Sequence, residues 1–234
     1  DETINQIKLH LPFILRKKCP VLRTIVLKIY TECVPKSFIQ QVVESILRLD
    51  IRTVKIARKD FNREDWYQIG LDFHEKMLSF ISKMRNLECL HYYFWENYEK
   101  LPETLFPYIK KMTKLKKFKI ALEDHSAGIT SLLFSNIFNL SNLKQISFAF
   151  SANINPNLLP EISQIVNTRN DLNSLELIFD RCACLSDEDA ESNAAELVSA
   201  LKQYTKLKSL TLDLRIVPHK DNIPILLRLP SLLK

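Results

Sequence analysis

Apolar and polar residues alternate in a short pattern that recurs along the chain. The pattern is apolar-x-x-apolar-x-apolar. Its copies read Leu22-Arg-Thr-Ile25-Val-Leu27, Ile51-Arg-Thr-Val54-Lys-Ile56, Leu87-Glu-Cys-Leu90-His-Tyr92 and Leu115-Lys-Lys-Phe118-Lys-Ile120. Three more follow: Leu143-Lys-Gln-Ile146-Ser-Phe148, Leu172-Asn-Ser-Leu175-Glu-Leu177 and Leu207-Lys-Ser-Leu210-Thr-Leu212. An eighth begins at Leu232. The intervals between starts are 29, 36, 28, 28, 29, 35 and 25 residues. Four of the seven are 28 or 29, so the copies are structural repeats and not coincidence. The second half of each copy has the period of two expected of a strand.

Between copies the period lengthens to that of a helix. Ile69, Phe73, Met77, Ile81 and Met84 form one apolar stripe, and Leu101, Leu105, Tyr108, Ile109 and Met112 form another. Similar stripes run through Phe38 to Leu49, Leu132 to Leu140, Leu158 to Val166, and Ala194 to Tyr204. Pro35, Pro102, Pro156 and Pro224 fall in loops or first turns, where a missing N–H costs no helix bond. The predicted unit is strand, loop, helix, loop. One unit cannot bury its apolar face alone, so stacked units are expected to share a continuous core.

These repeats resemble the leucine-rich-repeat family, in its ribonuclease-inhibitor-like branch with helices on the convex side. The resemblance covers about residues 20–234. It implies an α/β solenoid, a horseshoe with a parallel sheet on the concave face and helices on the convex face. Residues 1–19 carry Ile4, Ile7, Leu11, Ile14 and Leu15 at helical spacing, as a preceding repeat's helix or an N-terminal cap would. The family's asparagine at the ninth motif position is replaced by Tyr30, Lys59, Trp95, Glu123, Ser151, Asp180 and Arg215. The two long intervals hold insertions near residues 57–68 and 180–192.

Composition narrows the function. Two glycines, Gly70 and Gly128, are too few for any glycine-rich phosphate loop. The five cysteines have no framework spacing, which leads us to expect reduced thiols in a cytoplasmic, reducing compartment. No stretch of 18 apolar residues suggests a membrane span. The chain does not start with Met and its last motif is cut short, so we expect a piece of a longer chain or complex. Net charge is +6, but residues 1–120 carry a net +9 and residues 121–234 a net −3.

In a stack of such units, the polar motif positions face the concave side. The second position reads Arg23, Arg52, Glu88, Lys116, Lys144, Asn173 and Lys208; the third contributes Lys117; the fifth contributes Lys55, His91 and Lys119; the seventh contributes Lys28 and Tyr93. This face is basic in the first five repeats and neutral to acidic in the last two. It reads either as a docking surface for an acidic protein or as an ordinary solvated surface. Tyr93 and Trp95 lie outside the core pattern, which makes them candidate anchors of an interface. Trp95 could instead tuck under the next loop.

No catalytic or metal constellation was found. Cys182-x-Cys184 lacks a second ligand pair. Asp124-His125-Ser126 has triad residue types, but sequence adjacency does not orient a relay. Ser186 precedes a run of acids; it is a candidate helix cap and a candidate phosphorylation site. The expectation is a non-enzymatic scaffold or adaptor without cofactors. The alternatives are nucleic-acid (RNA) binding through the basic N-terminal half and a purely structural spacer in a multi-subunit complex.

Overall fold

In the computed structural model, the described residues are 22–29, 49–58, 71–94, 101–123, 133–137, 139–151, 158–169, 171–180, 190–203 and 206–215. The strands are β1 (Thr24–Ile29), β2 (Thr53–Arg58), β3 (Cys89–Phe94), β4 (Lys117–Glu123), β5 (Gln145–Ser151), β6 (Ser174–Asp180) and β7 (Ser209–Arg215). Each begins at the third position of its motif. They form one sheet in sequence order, β1 to β7, and every pair is parallel. The register joins equivalent positions. Lys117 pairs with Gln145, Gln145 with Ser174, and Ser174 with Ser209.

Four helices are described: α1 (Leu71–Ser82), α2 (Leu101–Lys110), α3 (Leu158–Thr168) and α4 (Ala190–Gln203). A shorter helical segment covers 133–137. Pro102 and Pro160 lie in first turns. Pro107, however, lies inside α2. The sequence reading overlooked it; an interior proline removes one i→i−4 bond, so α2 depends on packing more than on its backbone ladder.

The alternation of the strands sends the fourth and sixth motif positions into the core, joined in β4 to β6 by the eighth, at Leu122, Phe150 and Phe179. Leu90, Phe118, Ile146 and Leu175 are buried, as are Ile56, Tyr92, Ile120, Phe148 and Leu177. The helical stripes close over them with Met77, Leu78, Ile81, Ile109, Ile137, Ile162, Ile165, Leu197 and Leu201. The buried residues form one cluster from Ile51 to Leu201. Near β5 the filling is aromatic. Phe148 stacks on Phe150 at 5.7 Å, Phe150 on Phe179 at 5.6 Å, and Phe134 meets Phe148 edge-on at 5.1 Å. Such offset and T-shaped contacts suit the ring quadrupoles.

The repeats are locked at the turn that precedes each strand. The carbonyl of the second motif position accepts two N–H groups from the next repeat. Arg23 O takes Arg52 and Thr53 (2.8 and 2.9 Å), and Arg52 O takes Glu88 and Cys89 (2.8 and 2.9 Å). The same pair of bonds recurs at Glu88, Lys116, Lys144 and Asn173. The exit from the helix is also repeated. The N–H groups of Leu87, Leu115, Leu143 and Leu172 donate three residues back, to Met84, Met112, Leu140 and Arg169. This backbone ladder needs no particular side chain, so the repeats hold register although their sequences diverge.

The expected N-terminal helix of residues 1–19, the eighth motif, Trp95 and Ser186 lie outside the described residues. So do 59–70 and 181–189, which contain most of the two insertions.

Candidate functional site

Helix-covered repeats bury one face of the sheet and leave the other open. Strands stack about 4.8 Å apart, whereas helices need 8–10 Å, so the open face is the inner side of the bend. The third, fifth and seventh motif positions point there.

The fifth-position row reads Val26, Lys55, His91, Lys119, Ser147, Glu176 and Thr211. Lys119 Nζ lies 3.0 Å from Glu176 Oε2, spanning the intervening strand. The Ser147 hydroxyl donates to the same carboxylate from below. The Ser147 bond, opposed by partial burial and joined by Lys119, holds the Glu176 carboxyl below its ordinary range. One cation of the expected basic face is therefore neutralised internally.

His91 stands between Lys55 and Lys119 in register. Burial, then the charges of these two lysines, push its imidazole below the usual histidine range, with Glu176 opposing. These effects favour its neutral form. Cys89, paired with Lys117, is a free, half-buried thiol. Burial pushes it up, and Lys117, Lys55 and a hydrogen bond with Thr53 only partly offset that. Among the described residues, no carboxylate lies within ion-pair distance of Lys55 or Lys117.

The seventh-position row contains Tyr93, Ala121, Ala149 and Ile178 in register. Tyr93 is 37% exposed, and the only other exposed large hydrophobic among the described residues is Val26, on the same face. Two alanines between Tyr93 and Ile178 leave a shallow shelf, with the charged row along one side. An apolar side chain of a partner could seat there against the tyrosine ring.

The structure therefore gathers Lys55, His91, Tyr93, Lys117 and Lys119 on β2 to β4. Arg23, Arg52 and Lys144, read as facing the concave side, instead precede their strands, because each strand starts one position later. There they meet acids. Arg23 lies 3.4 Å from Asp50, and Lys144 lies 2.8 Å from Asp171. Arg52 stands 4.0 Å from Glu88, and Lys116 is 3.2 Å from the same residue. Lys28 occupies β1, and its side chain lies outside the described residues.

The sequence reading also passed over the residue just before each motif. Asn86 donates to Asp50 (2.8 Å), Lys114 donates to Asn86 (2.8 Å), and Asn142 donates to the Thr113 carbonyl (2.8 Å). Buried Arg169 was missed as well. It donates to the carbonyls of Ile137 (3.2 Å) and Leu143 (2.7 Å), and grips Asp171 at 2.8 and 3.3 Å. The legible signal was position: Arg169 stands where other repeats have Met84, Met112 and Leu140. Partial burial pushes the Asp171 carboxyl up, but hydrogen bonds and charge from Arg169 and Lys144 outweigh that and hold it down at about 2.

Among the described residues, no group of three or more His, Cys, Asp or Glu side chains could hold a metal ion, and no helix is long and apolar enough to cross a membrane.

The strand order and register make the chain an α/β solenoid of the leucine-rich-repeat type. No family model matches its sequence, and no curated protein is similar to it. Among solved structures, the C-terminal domain of tropomodulin from Caenorhabditis elegans aligns with 84% of this chain and 93% of its own, at TM-score 0.40 and 9% identity. An internalin from Listeria monocytogenes aligns with 98% of this chain and 81% of its own, at TM-score 0.28 and 13% identity. The assignment rests on the topology of the sheet, not on these likenesses.

Proposed function

We propose that this chain is a non-catalytic protein-interaction module, a scaffold or adaptor subunit that captures an acidic protein segment on the open face of its sheet. Its 28-residue period and helices favour the ribonuclease-inhibitor-like branch. One observation carries the binding reading. An exposed tyrosine borders an alanine shelf beside Lys55, Lys117 and His91 on the open face of the sheet. The aromatic ring supplies contact area at low entropic cost. The lysines raise the encounter rate of an acidic segment and set its orientation.

The test is affinity purification of the tagged protein from its source cells, followed by mass spectrometry. Partners retained by the wild type are expected to be lost with Tyr93→Ala and with Lys55→Glu/Lys117→Glu, both checked for folding by circular dichroism. Retention of every partner by both variants would overturn the reading.

A further inference from the structure

The charge of this molecule is sorted by type of connection. The segments that run from a helix into the next strand are 22–23, 49–52, 82–88, 110–116, 139–144, 168–173 and 202–208. Together they hold thirteen basic and three acidic residues. The segments that run from a strand toward the next helix (59–70, 95–100, 124–132, 152–157 and 181–189) hold four basic and nine acidic residues. The halves of the chain obscure this sorting, because Lys202, Lys206 and Lys208 belong with the first group.

A parallel stack places every helix-to-strand turn on one edge of the solenoid. The repeated bonds from Arg23 through Asn173 trace that edge. Its three acids are all engaged: Asp50 by Arg23, Glu88 by Lys116, and Asp171 by Arg169. Ten of the thirteen cations are exposed. Helix C-termini account for Lys110 and Lys202, which lie in last turns and complement the negative end of the dipole. They do not account for Arg85, Lys114, Lys206 and Lys208, which lie in the turns beyond.

We propose that this rim binds the phosphodiester backbone of duplex nucleic acid, without regard to base sequence. The rim is long enough. Six steps of about 4.8 Å span roughly 29 Å, close to one duplex turn of about 34 Å. Exposed Asn139, Ser141 and Asn142 sit among the cations as neutral donors of the kind that contact phosphate and sugar. The rim offers no exposed large apolar side chain among its described residues. Lys83 and Lys111 lie over the rings of Phe80 and Tyr108, at 5.1 and 5.0 Å. The described residues of the rim therefore supply no platform on which single-stranded bases stack. They equally supply none of the apolar residues that enter a lipid interface or anchor a protein hot spot. A uniformly charged linear polymer is the partner that needs none of these.

The experiment is fluorescence anisotropy with two labelled 20-base-pair duplexes of unrelated sequence, between 50 and 200 mM salt. Both should bind alike. The slope of log affinity against log salt should lie between about −4.5 and −6.3, as for five to seven neutralised phosphates. Arg85→Glu/Lys114→Glu/Lys206→Glu should weaken binding at least tenfold, while Tyr93→Ala should leave it unchanged. Three results would overturn the proposal: no duplex binding at 50 mM salt, unchanged affinity in the triple variant, or tighter binding to phosphatidylserine vesicles than to the duplexes. None of them bears on the sheet face, which is tested through Tyr93.

Discussion

Lys119 and Glu176 are two strands apart, yet their charged groups meet at 3.0 Å across β5. The contact is possible because Ser147, between them in register, is too small to block it and donates to the same carboxylate. The open face is thus basic over β2 to β4 and internally balanced toward β6. Replacing Ser147 with alanine removes the hydroxyl and leaves the ion pair. The expected cost is about 1 kcal/mol, the usual net value of one hydrogen bond, read from urea unfolding. A bulkier Ser147→Leu should in addition separate Lys119 from Glu176.

Arg169 joins two repeats through backbone carbonyls and Asp171. Arg169→Ala should destabilise the domain by roughly 2–4 kcal/mol, since buried acceptors lose a charged donor and a cavity opens. Arg169→Met should cost less than Arg169→Ala, because Met84 and Met112 fill the equivalent place in other repeats. Equal losses in denaturant melts would show that the packing column contributes nothing.

Acid should weaken the same junction. Asp171 has a folded pKa of about 2 against an ordinary 3.8. A depressed carboxylate pKa stabilises the folded state above the unfolded value, and that contribution fades as pH falls from about 4 through about 2. Glu176 is shifted in the same direction and acts with the same sign. The stability of Asp171→Asn should therefore fall less steeply than that of the wild type over this window. Parallel curves in denaturant titrations at pH 2 to 5 would refute this.

Cys89 should be a slow thiol. Burial raises its pKa, and the neighbouring Lys117 and Lys55 counteract only part of this. Since the thiolate is the reactive form, iodoacetamide should modify Cys89 more slowly at pH 8 than it modifies a free cysteine. Lys117→Ala should slow it further, as peptide mapping by mass spectrometry would resolve. Faster modification in that variant would mean that access, not charge, controls the rate.

The aromatic filling of β5 should dominate stability. Phe148 is fully buried and touches both Phe134 and Phe150. Phe148→Ala is expected to cost about 3–5 kcal/mol. Exposed Tyr93→Ala should stay within about 0.5 kcal/mol. Thermal melts of the two variants separate a core role from a surface one.

Much of this protein is legible in its sequence alone. The interval of 28 or 29 residues and the alternation after each leading Leu or Ile place seven strands in one parallel register. The helical stripes also named Met77, Ile109, Ile162 and Leu197 as core. Repetition makes this possible, because each copy states again which positions are apolar. The site was only partly legible. Parity alone puts Tyr93 and Lys55 on strands that face the open side, whereas that Arg52 and Lys144 precede their strands is set by hydrogen bonding, which periodicity does not mark.

The sequence by itself determined the repeat, its register and the identity of the core, since burial of a shared apolar face admits one phase of stacking. Only the tertiary structure decided which charges cancel and which accumulate. Lys119 and Glu176 are 57 residues apart in the chain, and Lys114 and Lys206 are further still. Parallel stacking alone brings the first pair together and sets the second pair on one edge, because Coulomb interactions depend on distance in space and not on separation along the chain.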